Sequence, residues 1–134
     1  MESELIGEVK LRNCHLVYRE DSNYRVDVIK AQRPTIVFTK NITCEVVEYL
    51  YNQLKGHQVN KDEAADVLKP VASKLNFPYS YGHQLAYYTQ EVLVVLVAIG
   101  RASFSQQIGR GCCYTILRTV FKQPEYHKTR LKEG

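Results

Sequence analysis

A chain of 134 residues that is 45% apolar can bury one substantial core and is too short to expect two, so residues 1–134 are read as a single domain. The longest apolar run, residues 92–99, is far below a membrane span, and MESELIGEVK puts acids where a secretory leader needs positive charge. No membrane association and a cytoplasmic location are therefore expected. Four cysteines without CxxC spacing (Cys14, Cys44, Cys112, Cys113) are expected to stay reduced, with no metal and no cofactor implied.

The net charge of +4 is unevenly spread. Residues 1–40 carry seven Lys/Arg against six Asp/Glu, residues 41–100 four against six, and residues 101–134 seven against two. The basic surplus lies near the C-terminal end, which suits either a contact with nucleic acid or a solvated tail over residues 119–134.

In chain order, EVKLRNCHLVY mixes alternation with β-branched and aromatic residues, REDSN supplies turn chemistry and YRVDVIKA alternates again, which predicts a hairpin. Ile36, Val37 and Phe38 predict a third short strand after Pro34, completing a β extension over residues 1–40. The period then changes. Val46, Val47, Leu50 and Leu54 fall at helical spacing over residues 42–55, with Asn41 or Thr43 able to cap the start and Gly56 to end the helix. A second helix is predicted after Asn60, with Asp62 and Glu63 complementing its dipole; Pro70 either kinks it or begins a separate short helix. Leu85, Thr89, Val92, Leu96 and Ile99 share one face of a helix over residues 80–99, although the valine-rich part also fits a buried strand.

In GRASFSQQIGRGCCYTILR, Ala102, Phe104 and Gln106 alternate with Ser103 and Ser105, and Cys113, Thr115 and Leu117 alternate with Cys112, Tyr114 and Ile116. Gly109 and Gly111 permit the positive φ angles of a tight loop, so a β-hairpin with Arg110 at its tip is predicted. The class is α+β: an N-terminal hairpin plus short strand, then a three-helix unit with a C-terminal hairpin.

The succession of three helices and a glycine-arginine hairpin over residues 41–118 resembles the winged helix-turn-helix superfamily. The likeness is closest at VLVVLVAIGRASFSQQIGRGCCYTIL, which is similar to the end of a recognition helix, a glycine turn and a wing. It implies that residues 80–99 enter the major groove of double-stranded DNA with Ser80, His83, Gln84 and Tyr87 nearest the bases. Arg110 would then reach a minor groove or phosphate, with Arg101 and Arg118 as backbone contacts. A regulatory protein acting as a homodimer is the expectation, because one such module buries little surface on DNA.

Residues 76–100 contain no Lys or Arg. This favours the alternative in which the tyrosine-rich helix, with Tyr79, Tyr81 and Tyr87, docks on another protein without binding DNA. An enzyme is not expected, since no paired carboxylates, metal spacing or phosphate loop is present. Cys112 and Cys113 would point to opposite faces of a strand, and Cys14-His15 has no glycine elbow or helix N-terminus to activate a nucleophile.

Overall fold

The computed structural model describes residues 3–75, 82–107 and 111–118. The α+β class expected from the sequence is the one observed: an N-terminal antiparallel sheet, three helices and a small C-terminal sheet.

Strands β1 (Ser3–Lys10), β2 (Cys14–Glu20), β3 (Asn23–Ile29) and β4 (Val37–Thr43) form a four-stranded meander in the order β1-β2-β3-β4. The run EVKLRNCHLVY is two strands and not one. Arg12 sits in a tight turn closed by the Leu11 amide, which donates to the Asn13 carbonyl at 3.0 Å, and Lys10 then faces Cys14. Asp21 takes φ +54° in the next turn, a conformation its short polar side chain tolerates. β4 also outruns its expected three residues. TKNIT has a single apolar residue, and Ile42 and Thr43 fall in the range expected for the start of the first helix, yet Thr39 to Thr43 pair with β3 one for one, so the sheet supplies the backbone bonds and buries Ile42 completely.

Helix α1 (Cys44–Leu54) begins where the Thr43 hydroxyl accepts from the Val46 amide, and buries Val46, Val47, Leu50, Tyr51 and Leu54. A two-residue strand β5 (Gln58–Val59) leads to α2 (Lys61–Leu68). There Asn60 and Glu63 form a capping box: Asn60 Oδ1 accepts from the Glu63 amide at 2.8 Å and Glu63 Oε1 accepts from the Asn60 amide at 2.9 Å. Pro70 opens a separate 3-10 turn, Lys69–Val71. Residues Gly82–Ala98 form α3, which resolves the valine-rich stretch as helix. Gly100, at φ +83°, stops it in a Schellman arrangement in which the Arg101 amide donates to the Leu96 carbonyl and the Gly100 amide to that of Val97. β6 (Ala102–Gln107) and β7 (Gly111–Ile116) follow as the antiparallel hairpin, with Ala102, Tyr114 and Ile116 buried on its inner face; β5 pairs with β7, giving the order β5-β7-β6.

α3 is the centre of the core. It packs against α1, α2 and β6 and also against all four strands of the N-terminal sheet, whose inward face presents Val9, Val17, Val26 and Ile42. The fit is closest at Gly7, where an added β-carbon would stand 3.1 Å from Ala98 Cβ. Consequently every residue from Glu91 to Leu96 is buried, as expected of a helix covered all round. The helix expected to enter the major groove over residues 80–99 is therefore covered along most of its described length. Only its first turns keep a free polar side, where Gln84 and Tyr87 are exposed and Gln90 is half-buried.

Candidate functional site

A cleft of about 1210 Å³ opens where the first half of α3 leaves the N-terminal sheet, between β3 and β4 on one side and the start of α2 and the C-terminal hairpin on the other. The sheet register builds one wall. His15, Val28 and Phe38 lie in one cross-strand row, so their side chains share the inward face; His15 and Val28 are buried, while Phe38, on the edge strand, is 50% exposed. Lys40 lies two residues along β4 from Phe38 on the same inward face, and Lys30, just beyond β3, places its ammonium 5.6 Å from the Phe38 ring centre. Across the cleft stands Tyr87, 55% exposed, with the Lys61 ammonium of α2 at 5.7 Å from its ring centre. Arg12 and Arg33 join from the loops, so five cationic side chains face two carboxylates, Asp62 and Glu91.

The floor is different in character. His15 Nδ1 lies 2.7 Å from Glu91 Oε1, both side chains being almost wholly buried, and this contact ties β2 to the middle of α3. Beside it the Tyr114 ring is fully buried, and its hydroxyl has no hydrogen-bond partner of good geometry among the described residues. Burial pushes the Tyr114 phenol far above its ordinary range, with neighbouring Cys112 and Glu91 adding in the same direction. Among the described residues no group of three or more His, Cys, Asp or Glu could hold a metal ion, and no helix is long and apolar enough to cross a membrane.

The residues singled out from the sequence fall into separate places. Gln84 and Tyr87 share the exposed start of α3, and the backbone of His83 belongs to the same turn. Arg101 lies at the other end of this 17-residue helix, about 25 Å away. It is engaged there, with Nη1 2.7 Å from Glu48 Oε2 and its guanidinium 4.8 Å from the Tyr51 ring centre. Arg118 lies against Gly56, and its carbonyl accepts from the Tyr51 hydroxyl at 3.1 Å. Arg101 and Arg118 thus belong to the α1 side and are not brought together with Gln84. Ser80, Arg110, Tyr79 and Tyr81 lie outside the described residues. Cys14 and His15, adjacent in sequence, point to opposite faces of β2. The Cys14 thiol donates to Glu8 Oε2, which, with burial, raises its pKa and keeps it protonated.

Sequence reasoning passed over Lys30, Lys40, Lys61, Phe38 and the His15–Glu91 contact. The signals were there: Lys30 and Lys40 continue the inward register of Val26, Val28 and Ile42, and Glu91 is the one acid in residues 75–100, set against an apolar run. No family model matches the chain, and no curated protein or solved structure gives a significant match.

Proposed function

We propose that the protein is a DNA-binding regulator of winged helix-turn-helix type, acting as a homodimer. The observation that carries this reading is the winding of the C-terminal unit: helix, strand, helix, helix, then a hairpin whose last strand pairs with the strand after the first helix. This order is like that of the winged fold and supports the reading, with β5, too short to be read from sequence, in the place of a third strand. In this arrangement the start of the third helix faces DNA and the start of the second meets a phosphate. Gln84 and Tyr87 stand at the first of these positions, exposed, and Lys61 at the second. Lys30, Lys40 and Arg33 extend the positive surface in place of Arg101 and Arg118. Fluorescence anisotropy with a mixed-sequence duplex at several salt concentrations is the test. Binding that weakens steeply with salt, and weakens further in Lys61→Glu, is expected; no binding at low salt removes the reading.

A second reading is favoured by one specific feature. The N-terminal sheet covers the later turns of α3, so a major groove about 12 Å wide could engage only its first turns. If the exposed Tyr87 instead docks on a protein, Tyr87→Ala loses a stoichiometric partner in co-purification whereas Arg110→Ala keeps it; equal effects of the two count against docking.

A further inference from the structure

We infer that the cleft between the N-terminal sheet and the α2–α3 corner is a binding site for a small nucleotide-class ligand, a planar ring joined to a phosphate, whether or not the start of α3 holds DNA. The Tyr114 hydroxyl is the most specific pointer. It is fully buried in the wall of the cleft and has no partner of good geometry among the described residues, a state that costs free energy unless something else completes it. Glu91, which also lines the cleft, stands near it with Oε1 2.7 Å from His15 Nδ1. A floor that holds a hydroxyl and a carboxylate group suits the polar edge of a ring and repels a bare anion.

The mouth has the opposite chemistry. Phe38 and Tyr87 are each about half exposed, and each carries a lysine ammonium beside its ring, Lys30 at 5.6 Å and Lys61 at 5.7 Å. Aromatic faces offer stacking to a base or sugar edge, and the ammonium groups offer charge to a phosphate. The order from inside to outside, polar acceptors, aromatic faces, cations, is that of a nucleotide entering ring first. The volume exceeds the usual range for small-molecule sites, about 300–1,000 Å³, so ring, sugar and phosphate fit together.

The probe is adenosine 5′-monophosphate, titrated into the full chain by calorimetry at low salt, with adenosine and inorganic phosphate as separate arms. Saturable binding of one nucleotide per chain is expected, at least tenfold tighter than either half alone. Lys30→Glu combined with Lys61→Glu should weaken it at least tenfold. Tyr114→Phe should weaken it by a similar factor while leaving the melting temperature unchanged or raised, because the hydroxyl it removes has no partner of good geometry among the described residues. A merely structural hydroxyl would move stability and leave binding alone. No binding at millimolar nucleotide, phosphate binding as well as the nucleotide, an unchanged affinity in both variants, or capture of a single-stranded oligonucleotide without the mononucleotide would each overturn the inference. If Tyr114→Phe fails to fold, the paired lysine variant, confined to the surface, decides. Duplex binding is a separate measurement, so loss of the nucleotide site and loss of the regulator reading are told apart.

Discussion

Breaking the contact between His15 and Glu91 should unlatch the N-terminal sheet from α3. His15 Nδ1 and Glu91 Oε1 are 2.7 Å apart, with only 2% and 5% of their side-chain surfaces exposed, so bulk water solvates neither well. His15→Leu leaves a carboxyl group facing apolar neighbours without its partner, and Glu91→Leu strands the imidazole. Removing one member of a buried pair typically costs about 3–5 kcal/mol, whereas replacing both with apolar groups of similar volume is often close to neutral. For 134 residues, with an unfolding entropy of about 2.1 cal/mol/K per residue, that loss lowers the melting temperature by about 11–18 °C. The His15→Leu/Glu91→Leu double variant should return to within a few degrees of the parent, a coupling of several kcal/mol between residues 76 apart in sequence. Urea unfolding of the four proteins, followed by far-UV circular dichroism, measures the cycle. Single losses below about 1 kcal/mol, or losses that simply add in the double variant, would refute the idea that this contact holds the two halves together.

Three further outcomes follow from the same structure. Asn60→Ala removes one side of the capping box on α2 and should lower stability by about 1 kcal/mol, read as a shift in urea midpoint with unchanged slope. Gly7→Leu drives a side chain into Ala98, 3.1 Å from the first added carbon, and should cost about 1–3 kcal/mol in the same assay, while Leu5→Ala on the exposed edge changes little. The third concerns alkali. Burial raises the phenols of Tyr24 and Tyr114 above the ordinary value of 10.0, so the unfolded chain releases these protons first. Stability is therefore whole well below pH 10 and falls as pH rises through and beyond it, toward a limiting slope of about 1.4 kcal/mol per pH unit for Tyr114, with Tyr24 acting in the same direction. Denaturant midpoints should hold steady up to about pH 9 and fall with increasing steepness between pH 10 and 11, less so in Tyr114→Phe.

The elements most legible in the sequence are those whose period repeats locally. The hairpin of β6 and β7 follows its alternation, with Ala102, Tyr114 and Ile116 inside, and α1 and α2 start at caps visible as Thr43 and Asn60. What stayed hidden depends on pairing across long separations. β5 is two residues long and exists because His57 and Gly56 exchange backbone bonds with Ile116, at 2.9 and 2.7 Å. The polar end of β4 is a strand because β3 lies beside it. The basic cleft lies away from the basic end of the sequence for a related reason. The count of basic residues drew attention to residues 101–134, but Arg101 is spent on Glu48 and Tyr51, while lysines scattered through residues 30–61 converge only after the sheet folds over α3.

The sheet is also finished long before its cover exists. Its strands are joined by short turns and complete at Thr43, but Ala98, the last residue of the helix they rest on, is made 55 residues later. At about 5–20 residues per second of synthesis, Val17, Val26 and Ile42 wait about 3–11 s on a largely apolar face with two open edges. During that interval the nascent chain offers chaperones a flat hydrophobic ribbon, and a ribosome stalled before α3 would leave a fragment prone to stacking on its own copies.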